Sequence, residues 1–196
     1  MPARRPADAA EIGRDTIASG HFLALRRIRW RDPDGRGRQW ESAERVSWNG
    51  AVVVIPRLEP TGEYLLVRQY RPPARTTVLE FPAGLLEPGE DPAAGALREL
   101  REETGYTARV ERLTPAVFTS PGLTNESVHT VLVSVDLAAP ENRDARPAPD
   151  DGEFIERVRV HPAAWPALLA AEIAHGGACD SKPALFFSGF AAGNPT

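Results

Sequence analysis

Short apolar runs rich in Val, Ile and Leu recur along the chain between clusters of Pro, Gly and Asp. Runs of this length and composition, bounded by turn residues, are typical of β-strands. We therefore predict strands over residues 51–55, 63–70, 77–81, 108–118, 128–137 and 154–160. The first run is apolar throughout, which predicts a strand buried on both faces.

Two longer segments, residues 92–104 and 163–174, have the composition of helices, and a third short helix is predicted after Ser181. Pro166 lies near the start of the second segment, where a helix tolerates proline. Several strands with a few interspersed helices, without a regular strand–helix–strand alternation, indicate an α+β sandwich.

The N-terminal region has a different pattern from the rest. Residues 1 to about 12 are polar and Ala-rich, and we expect a loose leader there. Residues 21–31 and 38–46 flank a Pro/Asp/Gly turn, which predicts a β-hairpin. We predict that residues 1–47 form this leader and hairpin, and that residues 48–196 form the main domain.

Residues 140–152 are rich in Pro, Asp and Arg, and Ala is their only apolar residue type. This composition predicts a mobile, solvated loop. It lies between two predicted strands, where a catalytic loop is often found.

Composition narrows the class of protein. The net charge of −4 does not favour a broad nucleic-acid surface, and no apolar run approaches the ~20 residues of a membrane span. Cys179, the single cysteine, has no partner for an internal disulfide, and we interpret it as a packed side chain rather than a nucleophile. We expect a cytoplasmic protein.

The segment 92–104 is marked as a helix at both ends and carries a stripe of acids. Asp91 suits the N-cap, and Gly105 suits the left-handed residue after the last turn. Glu99, Glu102 and Glu103 fall within an arc of roughly 100° around the helix axis. We expect the apolar residues on a neighbouring arc to pack on the sheet: Ala93, Leu97 and Leu100.

Three carboxylates on one stripe repel each other unless positive charge lies between them. Arg98 is spaced to pair with Glu102, but one arginine cannot neutralise three acids. Since all the donors are oxygens, Mg²⁺ is favoured, with Mn²⁺ possible, over Zn²⁺. Mg²⁺ held by carboxylates commonly grips substrate phosphates as well. The alternative is a solvated helix face that carries only surface ion pairs.

The wider pattern from Gly84 to Tyr106 decides between these interpretations. It reads Gly, five residues, Glu, seven residues, Arg-Glu, an aliphatic residue, any residue, Glu-Glu, any residue, Gly, and a large apolar residue. This pattern resembles the Nudix box at every fixed position. The similarity extends to segments 68–73, 79–84, 115–126 and 151–154, which resemble the ADP-ribose pyrophosphatase (ADP-sugar hydrolase) group of that family.

The resemblance implies a Nudix α/β/α sandwich with a mixed sheet, and roles for individual residues. Glu99 and Glu103 are the implied main metal ligands, Glu102 is a further ligand or water-positioning acid, and the Ala83 carbonyl contributes to a metal. Gly84 lets the backbone approach closely, while Arg98 orients the carboxylates and Glu90 supports the loop.

The same resemblance implies a substrate site for ADP-ribose. Arg45 and Arg71 would contact its phosphate or ribose groups, and Phe22 and Trp40, from different subunits of a homodimer, would stack on adenine. Alternatively, Arg71 forms only an ion pair with Glu80, and the two aromatic residues only pack the hairpin. Other predicted substrate-binding residues are Glu80 and Leu85.

The implied reaction is Mg²⁺-dependent hydrolysis of ADP-ribose to AMP and ribose 5-phosphate by attack of water on a phosphorus atom. Glu153 is the predicted general base, with Asp150, Asp151 and Glu156 as rivals. Alternative functions are hydrolysis of another nucleotide sugar or an oxidised nucleoside diphosphate, a non-catalytic nucleotide-sensing Nudix domain, and a plain interaction module.

Overall fold

The computed structural model describes residues 5–149 and 152–191. It divides the chain into two compact units. The first comprises Met1–Gly50 and Ala116–Val128, and the second comprises Ala51–Pro115 and His129–Thr196.

The first unit contains a three-stranded antiparallel sheet in the order β1-β2-β3, formed by β1 (Ala10–Ser19), β2 (Leu23–Arg31) and β3 (Gly37–Arg45). The predicted hairpin is confirmed as β2–β3, and Asp32 closes its turn by accepting the N–H groups of Asp34 and Arg36.

The expectation of a loose leader to about residue 12 is wrong for residues 10–12, because β1 begins at Ala10, and the leader's first four residues lie outside the described part of the chain. The strand forms because the free edge of β2 offers it backbone partners, a tertiary effect that composition does not reveal. The short strand β9 (Val117–Phe118) also lies in the first unit and pairs with Ser127 and Val128.

The second unit is built on a mixed sheet in the order β12-β6-β5-β4-β10-β8, in which β11 also pairs with β5 and β7 with β4. The β12–β6 pairing is parallel, whereas the β8–β10, β5–β11, β4–β5, β4–β7 and β5–β6 pairings are antiparallel. The strands are β4 (Ala51–Glu59), β5 (Glu63–Arg71), β6 (Thr76–Glu80), β7 (Ala83–Leu85), β8 (Arg109–Leu113), β10 (Ser127–Asp136), β11 (Ile155–Val160) and β12 (Ala178–Cys179).

The predicted strands are present with one correction. The run 108–118 is not one strand, because β8 ends at Leu113 and Pro115, which has no N–H to donate, precedes β9. β4 is buried from Ala51 to Pro56, as its apolar run predicted. The short strands β7 and β12 were not predicted, since two or three residues carry no readable period.

Four helices complete the second unit: α1 (Pro92–Thr104), α2 (Pro140–Arg143), α3 (Trp165–Ala174) and α4 (Ser181–Ala191). α1 has the predicted ends: the Asp91 carboxylate accepts the N–H groups of Ala93 and Ala94, and Gly105 has a left-handed φ of 78°. The helix predicted over 163–174 begins with a 3₁₀ turn at Pro162–Ala164.

α1 packs on one face of the sheet through Ala96 and Leu100, which join Val52 and Val54 of β4 in the core. Ala93, predicted to pack there, is only half-buried; Ala96 takes that place, and Leu97 packs at the margin of the core. On the other face, Tyr64, Phe81 and Trp165 pack against Phe187 of α4. Helices on both faces of a mixed sheet confirm the predicted α+β sandwich.

Within the described ranges, no helix combines the length and the apolar character that crossing a bilayer demands.

The description of 140–152 as a mobile, solvated loop is wrong for its first half. α2 carries the buried Asn142, whose side chain makes four hydrogen bonds to Thr107 and to the Asp136 carbonyl. These partners lie in β10 and in the segment after α1, so the sequence pattern of residues 140–152 alone could not show them.

Candidate active site

Strand β7 brings the backbone of the loop before α1 into contact with the acidic stripe. Ala83 and Gly84 pair with Val53 and Val52 of β4, which fixes this backbone on the sheet. A Cβ atom at Gly84 would overlap the carboxyl group of Glu99. The close approach therefore requires glycine at this position.

Arg98 lies at the centre of an acidic cluster, which consists of Glu90, Glu99, Glu102 and Glu103. Its guanidinium donates to both oxygens of Glu90 at 2.9 Å, to Glu99 at 2.8 Å, to Glu102 at 3.0 Å and to the Leu85 carbonyl at 3.0 Å. The Arg98–Glu102 pair predicted from the spacing is present. These hydrogen bonds hold the pKa of the Glu90 carboxyl down to about 2. Arg98 thus fixes three carboxylates at once, with the geometric precision of a planar fork.

Glu103 is the buried acid of the site, with 4% of its surface exposed. Burial, followed by the negative charges of Glu99 and Glu153, raises the pKa of its carboxyl to about 8, while the N–H of Ala83 and the charge of Arg71 oppose the rise. Its Oε2 atom is buried and has no hydrogen-bond partner. A buried unpaired carboxylate oxygen carries a cost that a bound cation would remove.

Glu99 lies beside Glu103 and is affected by the same surroundings. Burial raises the pKa of its carboxyl, the hydrogen bond from Arg98 opposes this, and the charges of Glu102 and Glu153 raise it further. Glu153 therefore lies within electrostatic reach of both Glu99 and Glu103, although it comes from the exposed segment before β11.

Of the predicted base and its three rivals, the structure describes Glu153 and Glu156. Glu156 lies in β11 and forms an ion pair with Arg68 at 2.7 Å. Asp150 and Asp151 lie outside the described residues.

Arg71 forms the ion pair with Glu80 that was one of the two interpretations of its sequence position. Its guanidinium donates one hydrogen bond to each carboxylate oxygen of Glu80, from Nε at 2.6 Å and from Nη2 at 3.0 Å. It also lies within electrostatic reach of Glu103 and Glu153, and its side chain is 42% exposed. Arg71 therefore keeps an accessible positive charge beside the acidic cluster while Glu80, largely buried, holds it in place.

The remaining predicted substrate-binding residues are placed as follows. Leu85 is exposed in β7 of the second unit. Phe22 and Trp40 are exposed in the first unit, and the indole N–H of Trp40 donates to the Gly122 carbonyl at 3.0 Å. Arg45, in the same unit, lies over the Trp48 ring and pairs with Glu126 at 3.3 Å. The predicted residues are thus divided between the two units.

The donors around α1 suit a hard divalent cation. They are all oxygens, and the unpaired Oε2 of Glu103 is available for a metal. Among residues 5–149 and 152–191, no three acidic, His or Cys side chains form a preformed metal site. Mg²⁺ does not need one, because it usually takes one or two carboxylates and completes its shell with water and substrate phosphates. The residues present fit that mode of binding.

Sequence reasoning missed two residues that anchor α2 and the segment after it. Asn142 and Arg157 attach this segment to its surroundings through carbonyl groups. An Asn in a polar loop and an Arg in an exposed strand do not indicate an anchoring role by themselves, because their partners are backbone groups of other elements.

Cys179 is half-buried in β12, and its Sγ atom donates to the Asp180 carbonyl. Burial, with the nearby charge of Asp180, raises the pKa of its thiol to about 11. A thiol with this pKa is a poor nucleophile at neutral pH, which agrees with a packing role.

Comparison with known proteins identifies the family. A family profile for the NUDIX domain matches residues 48–177. The ADP-sugar pyrophosphatase of Mus musculus is 42% identical over 153 residues, which cover 74% of this chain and 70% of that protein. The ADP-ribose pyrophosphatase of Bacillus subtilis (strain 168) is 38% identical over 149 residues, 76% of each chain.

A solved structure agrees in fold. The crystal structure of an ADP compounds hydrolase superimposes with a TM-score of 0.60 at 23% identity, covering 81% of this chain and 83% of the other. Together with the profile match and the identities to the mouse and Bacillus proteins, the box helix with its fixed acids leads to one conclusion: this chain belongs to the Nudix family.

Proposed function

We propose that this protein hydrolyses the diphosphate of ADP-ribose to AMP and ribose 5-phosphate, with Mg²⁺ as the working ion and Mn²⁺ as a substitute. The names of the mouse and Bacillus relatives support the substrate class. The observation that carries the proposal is the buried Oε2 atom of Glu103, which has no partner although two further acids lie close by. Such an arrangement is costly without a cation.

In this proposal Glu99 and Glu103 hold the metal, with Glu102 as a further ligand and the Ala83 carbonyl as a backbone donor. A divalent ion bound there would neutralise phosphate oxygens and would make the attacking water easier to deprotonate. Arg98 keeps Glu99 and Glu102 in position through the hydrogen bonds described above. Oxygen donors favour Mg²⁺ or Mn²⁺ over softer ions.

The protein's own groups then carry out the hydrolysis. Glu153 accepts a proton from the attacking water, the new P–O bond forms, and the bridging P–O bond breaks to release the second phosphate monoester. Arg71 contributes fixed positive charge, and its pairing with Glu80 orients it. The remaining proposed substrate contacts are Arg45, Phe22, Trp40 and Leu85.

We further propose that residues 48–196 are the Nudix hydrolase domain, and that residues 1–47 exchange between the subunits of a homodimer. The exposure of Phe22 and Trp40, at 74% and 51%, supports a partner surface in the first unit. Light scattering coupled to size exclusion measures the oligomeric state, and a monomer at micromolar concentration would contradict this part. A cytoplasmic location, which the lack of a partner cysteine supports, is checked by cell fractionation.

The test of the proposed function is a substrate panel with millimolar Mg²⁺ or Mn²⁺. It contains ADP-ribose, another nucleotide sugar and an oxidised nucleoside diphosphate, and chromatography quantifies the products. Running the reaction in heavy-oxygen water shows which phosphorus is attacked. Glu103→Gln should lower kcat on ADP-ribose by about a hundredfold or more, because it removes a charge that neighbouring groups cannot replace. Glu87→Gln, the same change at an exposed position, is the matched control.

Three outcomes would contradict the proposal. Cleavage of another member of the panel, without ADP-ribose, would correct the substrate. Tight binding of ADP-ribose without turnover would favour a nucleotide sensor. Unchanged turnover by Glu103→Gln would remove the acidic cluster from the mechanism.

A further inference from the structure

The segment that carries Glu153 is attached to the protein on both sides. On its N-terminal side, the N–H of Ala148 donates to the Glu102 carbonyl of α1 at 2.8 Å. On its C-terminal side, Ile155 enters β11 and pairs with Gln69 of β5. Ala148 and Ile155, on either side of Glu153 in the sequence, are thus attached to the acidic helix and to the central sheet.

Apolar packing of the N-terminal part of this segment is limited: Ala145 packs at the margin of the core. A cleft of about 780 Å³ lies between parts of the segment and α1, and it is lined on the segment's side by Glu141, Asp144, Ala145, Arg146 and Ala148. All of these except Ala145 are exposed. Because a cleft offers few van der Waals contacts, the position of the segment depends on a small number of hydrogen bonds.

Arg157 supplies the side-chain hydrogen bonds that join the segment to the end of α1. Its Nη1 group donates to the carbonyl of Thr104, in the last turn of α1, at 3.0 Å, and to the carbonyl of Ala145 at 3.1 Å. Its guanidinium also lies 5.3 Å from the centre of the Tyr106 ring, a cation–π distance. One side chain thus joins the end of the acidic helix, the segment and β11.

The backbone around Thr104 lies close to the backbone around Ala145, as a link through one side chain requires. A Cβ atom at Gly105 would come within 2.5 Å of the Arg146 backbone, so the two stretches are in direct contact there. Thr104 is fully buried, and its carbonyl therefore depends on a protein partner.

We propose that Arg157 is a positioning residue for Glu153: it fixes the segment 145–148 on the C-terminal end of α1, and so sets where Glu153 stands relative to Glu99 and Glu103. The inference rests on the proposed function. A general base must stand within hydrogen-bond reach of the water that it deprotonates, and a displacement of about 1 Å can lower the rate about a hundredfold. Loss of the link should therefore lower kcat.

The chain provides a matched control for this test. Arg159 lies two residues further along β11, is also exposed, and also contacts Tyr106, donating to its hydroxyl at 2.7 Å and lying 6.0 Å from its ring. Within the part of the chain that the structure describes, Arg159 makes no hydrogen bond to the segment. Arg157→Ala and Arg159→Ala therefore remove the same charge from the same strand, but only the first removes the link.

We expect Arg157→Ala to lower kcat on ADP-ribose by about tenfold or more, with KM changed by less than about threefold. Arg159→Ala should leave both constants within about twofold of wild type. A second measurement combines Arg157→Ala with Glu153→Gln. If Arg157 acts through Glu153, its loss should lower kcat no further once Glu153 is absent, so the two effects are non-additive.

A structural readout is independent of turnover. Ala148 stands between Pro147 and Pro149, which have no amide hydrogen, so its amide exchange is observed in isolation. Its exchange with deuterium should accelerate by about tenfold or more in Arg157→Ala and remain unchanged in Arg159→Ala. If Arg157→Ala does not fold, Arg157→Gln, which keeps a polar side chain but lacks the forked guanidinium, takes its place.

The outcomes separate this inference from the proposed function. A wild-type kcat in Arg157→Ala, an equal loss in both variants, an increase in KM alone, or additive effects with Glu153→Gln would each overturn the inference. If the wild-type protein cleaves no nucleotide sugar, the proposed function is wrong. Unchanged Ala148 exchange in Arg157→Ala would then still overturn the link, and accelerated exchange would still establish it.

Discussion

The buried carboxyl group of Glu103 should make the metal-free protein less stable as the pH rises. Its pKa is raised from the ordinary value of 4.5 to about 8 in the folded protein. Below pH 4.5 the group is protonated in both the folded and the unfolded chain. Between 4.5 and about 8, the unfolded chain releases this proton while the folded protein retains it, so the free energy of unfolding decreases with increasing pH.

The magnitude follows from the size of the shift. One pKa unit corresponds to about 1.4 kcal/mol. Between about pH 5 and about pH 8, the free energy of unfolding of the wild-type protein should therefore decrease by about 3 to 4 kcal/mol relative to that of Glu103→Gln, which cannot ionise. The measurement is urea unfolding of both proteins at several pH values with a metal chelator present. Glu87→Gln controls for the loss of one negative charge at an exposed position.

Metal removal is part of the same experiment. Adding Mg²⁺ at the higher pH should stabilise the wild-type protein but not Glu103→Gln, because an ion that binds only the folded state shifts the unfolding equilibrium. A difference in stability between the two proteins that stays constant from about pH 5 to about pH 8 would show that the reasoning about burial is wrong.

Three further predictions concern single sites. Gly84→Ala should displace the carboxyl group of Glu99 and lower kcat by about a hundredfold, whereas Gly189→Ala, where an added Cβ meets nothing within 4 Å, should have no effect in the same steady-state assay. Asn142→Ala leaves buried backbone groups without partners and should lower the free energy of unfolding by about 2 to 4 kcal/mol in urea titrations; a loss under about 0.5 kcal/mol would contradict the anchoring described for it. Cys179, with its raised pKa, should react with iodoacetamide at about pH 8 at least tenfold more slowly in the folded than in the unfolded protein, as mass spectrometry would show; equal rates would contradict its burial.

Local signals predicted some elements of this fold closely. α1 has the predicted bounds because its ends are set by residues beside them: the Asp91 side chain caps the first turn, and Gly105 adopts the left-handed conformation that ends the last. The buried strand at residue 51 followed from its unbroken apolar run. The strand at Ala10 was missed because it depends on pairing with β2 rather than on its own pattern.

The sequence by itself determined the chemistry available to this protein. The spacing of Glu99, Glu102 and Glu103 sets an all-oxygen donor group on one helix, and the surrounding pattern predicted the Nudix family correctly. Helical periodicity and capping are interactions between near neighbours, so they can be read from consecutive residues.

Only the tertiary structure decided the burial, the hydrogen-bond partners and the electrostatic surroundings of each of these acids. Glu102 remains partly exposed beside Arg98, while Glu103, its neighbour in the chain, is buried with an oxygen that lacks a partner. Glu153, which comes from a different part of the chain, lies within electrostatic reach of Glu99 and Glu103. Desolvation and charge–charge interactions depend on distances in space, and residues far apart in the chain set those distances, so no local pattern could have supplied them.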